Sequence, residues 1–537
     1  MLLHDVVLVD GTGAPARPAD VRVRGERIAV VAERRGLAPM PGERVIDGRG
    51  RVLAPGFIDM HAHSDLELLR PGDHAAKLAQ GVTTEVIGQD GLSYAPVDDA
   101  ALADIRARIA GWHGDLPDAE FTWRDVGGYL DRLDAGVAVN AAYLVPQGNL
   151  RMLVVGHGAR SATAEEIRRM RGLLADGLRA GAFGMSSGLT YAPGMHADRE
   201  ELVALCRVVA EHGGFWAPHT RGYGGGAREA YSEAIEIAHD AGCAVHLTHA
   251  TMNFPSNAGR ADALLALVDR AIADGVDVTL DTYPYRSGAT TLAALLPSWA
   301  AEGGIEATLA RLEDPGEAER IRVAVEETGS DGAHGEPIDW ETIQISGVTD
   351  PALSVAVGRT VAELGRSRPV ELGSPPSAFD AALALLRRDR LRTGILMHVG
   401  HEGNVRRIMA HPRHMGGSDG ILVGDRPHPR GWGTFARYLR RYSRELGILG
   451  LEEVVRHLSG APARRLGLAD RGEVRVGAVA DLALFDPARV RDEATYDDPR
   501  RPATGMDLVL VGGRVAVEDG RISGIRAGRS LRRAAAR

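Results

Sequence analysis

Apolar and polar positions alternate along this chain with two different periods, and the periods are segregated. Residues 1–54 read as short strands, since "VVLVDG", "DVRVRGERIAVVA" and "RVIDGRGRVLAPG" alternate and are punctuated by Gly and Asp. The stretch from about 470 onward has the same character, in "GEVRVGAVADLALFD" and "MDLVLVGGRVAVEDG". Two β-rich ends thus flank a long middle. The economical arrangement is one small β-sandwich built from residues 1–54 and 470–537, with residues 55–469 as a separate domain.

The middle alternates short apolar or β-branched runs with helical patterns, which favours βα units around a parallel sheet. Candidate strands end at "GFIDMHAH", "TTEVIGQD", "AAYLVPQ", "GAFGMSSG", "GFWAPHTR", "AVHLTHA", "DVTLDTYPY", "GILMHVG" and "HMGGSDG". Between them, "AEEIRRMRGLLADGLRAG" and "EAYSEAIEIAHDAG" space apolar residues by three and four and end at Gly181 and Gly242. A (β/α)₈ barrel needs one strand fewer than this set contains. "GILMHVG" is the strand expected to lie elsewhere, in an insertion over about 293–390 where periodicity is weak and Pro and Gly recur. That insertion is expected to form a lid or small subdomain.

A chain of 537 residues exceeds what one hydrophobic core usually holds, in line with more than one domain. Its hydrophobic share of 44% and charged share of 25% are those of an ordinary globular protein. The net charge of −9 argues against a nucleic-acid partner. Cys206 and Cys243 are too few for a disulfide framework, which fits a reducing cytoplasm. "MLLHDVVLVDGTG" has no basic n-region, so it does not read as a signal peptide, and no apolar run is long enough for a membrane helix. Gly, at 67 residues, exceeds its usual share of about 7% and implies many tight turns.

In a barrel the C-terminal strand ends build the active site. Here those ends carry His61, His63, Asp90, His219, His249 and Asp419. Each alone has an ordinary explanation: a polar residue at a strand end, or in "GGSDG" an Asp that starts a turn. Six such residues on one edge are far more specific. Four imidazoles and two carboxylates suit a borderline divalent ion such as Zn²⁺, or two of them. His196, His246, His398, His401, His411, His414 and His428 read as surface residues or as supports behind the ligands.

The motifs around these residues resemble the D-aminoacylase (N-acyl-D-amino-acid deacylase) group of the amidohydrolase superfamily. "PGFIDMHAHSD" is similar to that group's first-strand metal motif, and "HTRGYGGGAREAYSEAIEIAHDAGCAVHLTHA" to the segment with its two later histidines. "DTYPYRSGATTL", "GSDGILVGDRPHPRGWGTFARYLRRYSRE" and "PARRLGLADRGEVRVGAVADLALFDPARV" resemble its last blocks and its return to the β-sandwich. The likeness covers nearly the whole chain and is weakest over about 300–385. It implies a (β/α)₈ barrel in which metal-activated water hydrolyses the amide of an N-acyl-D-amino acid or a related N-acylated carboxylate. By motif, His61 and His63 form one ligand pair, His219 and His249 another, and Asp419 is the catalytic acid and base.

Two departures from the family matter. Its "G-N-C-G-x-S-x-A-P" carries a metal-binding Cys, whereas this chain has "GQDGLSYAP" with Asp90 at that place. A carboxylate is a harder ligand than a thiolate, so Mn²⁺, Co²⁺ or Fe²⁺ join Zn²⁺ as candidate ions. "SSGLTYAPG" offers no Lys of the kind that is carbamylated in some superfamily members, which leaves Asp90 as the bridging group. Second, Thr251 stands where the family has a carboxylate-binding Lys. Arg286, beside Tyr283, is expected to take over that task through its planar fork. Arg221 and Arg430 are weaker candidates for that task, the alternative for each being a support that pairs with Asp90 or Asp419; Ser187, Thr190 and Tyr191 are further candidates around the pocket. Two other functions fit the same residues: hydrolysis of a cyclic amide such as a hydantoin, lactam or dihydropyrimidine, and metal binding without the ancestral activity. The expected partner is a small N-acylated molecule, with no nucleic acid and no membrane, and a homo-oligomer stays open.

Overall fold

A computed structural model describes residues 1–533. Eight parallel strands form one sheet in sequential order: β1 (Phe57–Asp59), β2 (Val82–Ile87), β3 (Asn140–Pro146), β4 (Gly184–Gly188), β5 (Phe215–His219), β6 (Ala244–Leu247), β7 (Val278–Thr282) and β8 (His414–Gly416). The sheet closes on itself where the Met60 N–H donates to the Gly416 carbonyl at 3.0 Å and the Asp419 N–H to that of His61 at 2.8 Å. The fold is therefore the (β/α)₈ barrel. Ile58, Met60, Val86, Leu144 and Met415 pack together as a core cluster inside it.

The helices between strands follow from local sequence. In Ala164–Arg179, Thr163 and Glu166 cap the N-terminus reciprocally, and Arg179 lies in the last turn. Ile167, Met170, Leu174 and Leu178 form the buried stripe at three- and four-residue spacing that seats this helix on the sheet.

Between β7 and β8 the chain departs from the barrel. "GILMHVG" supplies Gly394–Met397, the middle strand of a three-stranded antiparallel sheet with Gly288–Thr291 and Ile343–Gly347. This insertion has its own core, including Leu295, Leu312, Ile345, Phe379 and Leu385.

Both ends of the chain enter one nine-stranded sheet that packs around its own apolar core of Leu3, Val21, Leu53, Leu482, Leu484 and Leu510. Val52–Pro55 pairs antiparallel with Leu482–Phe485, which joins the two ends directly beside the start of β1. Residues 528–531 leave this sheet and run along β3, where the Ala141 N–H donates to Arg529 and the Leu531 N–H to Ala141. The C-terminal segment thus packs on the barrel as well as on the terminal sheet. Among the described residues, no helix is long and apolar enough to cross a membrane.

Beneath the closing seam sits a buried ion cluster. Lys77 Nζ lies 2.6 Å from Asp59 and 3.1 Å from Glu85, and it donates to Ser418 Oγ at 2.9 Å. Against its burial, Glu85 is held down to about 2 by Lys77 and His74. Asp59 in turn accepts from the His61 and Ser418 N–H groups, at 3.2 and 2.8 Å. One acid thereby ties β1 to the loop that carries Asp419. Removing the central cation would leave buried Asp59 without a cation and Glu85 with His74 alone, which is strongly unfavourable. Lys77→Met is expected to destabilise the protein by about 3–5 kcal/mol, read as a lowered midpoint in chemical denaturation. An unchanged midpoint would show that the cluster adds nothing to stability.

Candidate active site

The side chains at the barrel's C-terminal rim converge on Asp90. Its Oδ1 lies 3.6 Å from His61 Nε2 and 3.4 Å from His249 Nε2. Its Oδ2 lies 3.6 Å from His63 Nε2 and 3.6 Å from His219 Nδ1. Asp419 Oδ1 completes the group at 3.2 Å from His63 and 3.7 Å from His61. Two donor sets result, His61–His63–Asp90–Asp419 and Asp90–His219–His249, and both contain Asp90. The six residues read from the sequence are therefore brought together, with Asp90 shared between the sets.

Local backbone explains how they get there. Asp90, His249 and Asp419 have φ of 54°, 32° and 48°, left-handed conformations that turn the chain sharply after each strand. Non-glycine residues hold such angles only where surrounding contacts enforce them. Ser186 supplies one such contact, because its Oγ donates to the Gly88 carbonyl and accepts from the Gly91 N–H at 3.1 Å, bracketing Asp90. Gly188 supplies another: a Cβ there would sit 2.1 Å from the Asp90 carbonyl. Thr190 Oγ1 contacts His219 Nε2 at 2.8 Å, which aims Nδ1 at Asp90. Asp281 accepts from the His249 N–H at 2.9 Å and lies 3.0 Å from His246 Nε2. His246 therefore acts from behind the site, and His414 and His428 are also buried rather than on the surface.

The electrostatics prepare the group for a cation. Burial lowers His61 to about 4, so its imidazole is neutral and one ring nitrogen offers a lone pair. Burial also opposes charge on His63, but contact with Asp419 and Asp90 overrides it and raises the group to about 9. Burial alone would raise Asp90, yet the imidazoles of His61 and His249 hold it well below the usual carboxylate range. Both ring nitrogens of His61 and the Oδ1 of Asp90 are buried without a hydrogen-bond partner. Unpaired buried acceptors are costly, and convergent nitrogen and oxygen donors of this kind fit one or two divalent ions.

Asp419 differs from Asp90 in its partner. Arg430 Nη2 lies 2.9 Å from Asp419 Oδ2 and, against burial, brings this carboxyl far below its ordinary value. Arg430 is fully buried, its guanidinium sits 4.5 Å from the Tyr283 ring centre, and its Nε and Nη1 have no acceptor.

A cavity opens over the cluster. His63, Asp90, His219, His249 and Asp419 form its floor, and Trp112, Tyr191, Tyr223, Thr251 and Tyr283 form part of its walls. His334 and Met397 reach it from the insertion, with the His334 ring 6.4 Å from that of His219 and 5.3 Å from Tyr223.

Three residues expected around the substrate are placed otherwise. Arg286 is exposed and does not line the cavity: β7 ends at Thr282, and in the bend that follows Tyr285 and Ser287 are buried while Arg286 faces out. Arg221 is committed to Glu233 at 3.0 Å and to the carbonyls of Met195 and Ala197, which leaves no fork for a ligand. Ser187 accepts from the Trp216 indole at 2.9 Å inside the sheet, one residue out of step with Ser186. Tyr283 and Tyr191 do line the cavity. The residues missed from sequence are Trp112, Tyr223 and His334. Of these His334 had the faintest signal, one histidine between glycines in a stretch without periodicity.

Asp90→Ala is expected to abolish binding of at least one metal equivalent per chain in elemental analysis. Asp90→Cys is expected to keep metal and to shift preference toward Zn²⁺ over Mn²⁺, since thiolate is the softer donor. Unchanged metal content in Asp90→Ala would remove the residue from the ligand set.

Known proteins are similar over the same span. A family model described as the amidohydrolase family matches residues 44–517. N-acyl-D-glutamate deacylase of Alcaligenes xylosoxydans xylosoxydans is 37% identical over 507 residues, covering 94% of this chain and 91% of the relative. D-aminoacylase of the same organism is 35% identical over 539 residues, covering 100% and 98%. A crystal structure of N-acyl-D-glutamate deacylase from Bordetella bronchiseptica, complexed with zinc and a phosphonate that mimics the tetrahedral intermediate, superposes with a TM-score of 0.82 at 34% identity and covers 99% of each chain.

Proposed function

The chain belongs to the amidohydrolase family, and from that premise we propose that it hydrolyses the amide bond of N-acyl-D-amino acids, releasing a carboxylic acid and a free D-amino acid. The observation that carries this reading is the pairing of a convergent His and Asp cluster with an ionised acid, Asp419, held by a buried arginine that has donors to spare.

His61, His63, Asp90, His219 and His249 are the residues that hold the metal, zinc being the ion in the Bordetella relative. A divalent ion bound there supplies a water whose pKa falls from about 16 toward about 7 and polarises the amide carbonyl. Asp419 remains a carboxylate, so it can take the proton that the attacking water sheds. It then delivers that proton to the leaving nitrogen, which departs poorly as an anion. Arg430 holds Asp419 in place and stabilises its ionised form. Its Nε–H and Nη1–H are without acceptors and lie on different edges of the guanidinium, so each has a single hydrogen bond to give beside the Tyr283 ring. We assign the substrate's carboxylate to the Tyr283 wall of the cavity, with Arg430 buried behind it, instead of to Arg286.

The cavity also bears on the substrate's side chain. Trp112, Phe254, Met397, Val399 and Ile421 line it, and among the described residues no lysine or arginine does. A neutral side chain fits these walls better than the acidic one named for the glutamate deacylase. We place the reaction in the cytoplasm, in keeping with buried, unbonded Cys206 and Cys243.

Purified protein is expected to cleave N-acetyl-D-methionine or N-acetyl-D-phenylalanine, to lose activity on chelation and to regain it with Zn²⁺. Asp419→Asn should keep its metal and lose about 10²–10⁴-fold in kcat. Near-normal kcat in that variant would remove the proton-shuttle role. Arg430→Ala should lose about ten- to hundredfold in kcat/KM, while Arg286→Ala leaves it unchanged. The reverse pattern would return the carboxylate to Arg286.

A further inference from the structure

A second chamber adjoins the catalytic cavity. It is partly open to solvent, and Trp112 and Tyr191 line both spaces. These rings meet edge to face at 4.8 Å, and Tyr191 Oη lies 3.2 Å from Thr290 Oγ1 at the root of the insertion. Beyond them the walls are Leu92, Ile109, Met195, Leu296, Ile305 and Leu391, with several alanines and threonines between. Among the described residues, Arg108 is the only charged side chain lining it, and its charge is already met by Asp104 at 2.6 Å. Nothing in the mechanism uses this space.

The direction of the reaction says which part of a substrate would face it. The leaving nitrogen must lie beside Asp419, and the carboxylate beyond that nitrogen lies toward Arg430 and Tyr283. The acyl substituent is on the other side of the scissile bond. Trp112 and Tyr191 hold positions against the ligand imidazoles, with Trp112 5.5 Å from His63 and Tyr191 4.8 Å from His219. A chain extending from the acyl carbon away from Asp419 meets these two rings first and the apolar chamber next.

We propose that this chamber is an acyl-chain subsite, and that the preferred substrates carry a medium-length aliphatic acyl group on the D-amino acid's nitrogen in place of acetyl. The inference rests on the amide-hydrolase reading above and adds the acyl class to it. Burying methylenes in an apolar enclosure is favourable by a roughly constant factor each, about threefold to fourfold in affinity.

The test is a kinetic series of N-acetyl, N-butyryl, N-hexanoyl, N-octanoyl and N-decanoyl derivatives of one D-amino acid. Expected is a rise in kcat/KM of about threefold to fourfold per methylene until the chamber is filled. Ala294→Phe, which fills the chamber away from the metal cluster, should abolish that rise and leave N-acetyl turnover unchanged. Ala301→Phe serves the same purpose should the first variant fail to fold. A flat or falling series in the parent enzyme, or a rise that survives both variants, overturns the proposal. So does a gain on lengthening the amino acid's side chain at constant N-acetyl that Ala294→Phe abolishes, since the chamber would then serve the other half of the substrate. Silence toward every N-acyl amino acid overturns the amide-hydrolase reading instead. Calorimetry with decanoate then decides the chamber: binding lost in Ala294→Phe sustains an aliphatic-chain site, and no binding removes it.

Discussion

A buried carboxylate shared by four imidazoles organises this molecule. Asp90 stands within 3.6 Å of a ring nitrogen of each of His61, His63, His219 and His249, with almost no exposure to solvent. Charge in such a place is tolerable only when paired, so each of its neighbours must be held closely. A barrel achieves this because its strand ends meet on one rim, and residues far apart in sequence arrive there from separate strands. The left-handed turns at Asp90, His249 and Asp419 are the strain that this convergence requires.

Behind the rim, polar residues convert strand ends into fixed positions. Asp59 joins the His61 strand to the Ser418 loop, Lys77 neutralises Asp59 together with Glu85, and Asp281 fixes His249 while touching His246. Arg430 does for Asp419 what the imidazoles do for Asp90: it keeps an acid ionised in a place where burial would protonate it. The two acids thus reach the same charge state through different partners, and the partner decides the role. Both line the cavity floor, but Asp90 is enclosed by imidazoles whereas Asp419 has an arginine at its back. The insertion completes the enclosure, bringing His334 and Met397 across the opening.

The barrel was legible from the chain because parallel strands announce themselves as short β-branched runs separated by amphipathic helices. All eight lie where the periodicity put them, and "GILMHVG" belongs to the insertion sheet. The ligand candidates were legible for a related reason, since strand ends are local features and the rim is where they meet. Arg286 shows where such reasoning stops. Its position three residues after Tyr283 placed it near the site along the chain, but the bend that follows β7 turned it to solvent. Ser187 and Ser186 differ by one step of strand alternation, and only Ser186 supports Asp90.

Sequence alone determined the kind of elements, their order and the chemistry available at the rim, because periodicity and residue type act over a few positions. Tertiary structure decided which of those residues touch. It joined Asp90 to four histidines from three other strands, gave Arg430 and not Arg286 the place beside Tyr283, and set Trp112 and Tyr191 between two cavities. It also brought His334 from a stretch without pattern to within 6.4 Å of a ligand ring. The physical reason is one of range. Helix and strand formation respond to neighbours in sequence, whereas a buried charge, an orphan guanidinium N–H or a cavity wall depends on groups from other elements of the chain, and only packing specifies those.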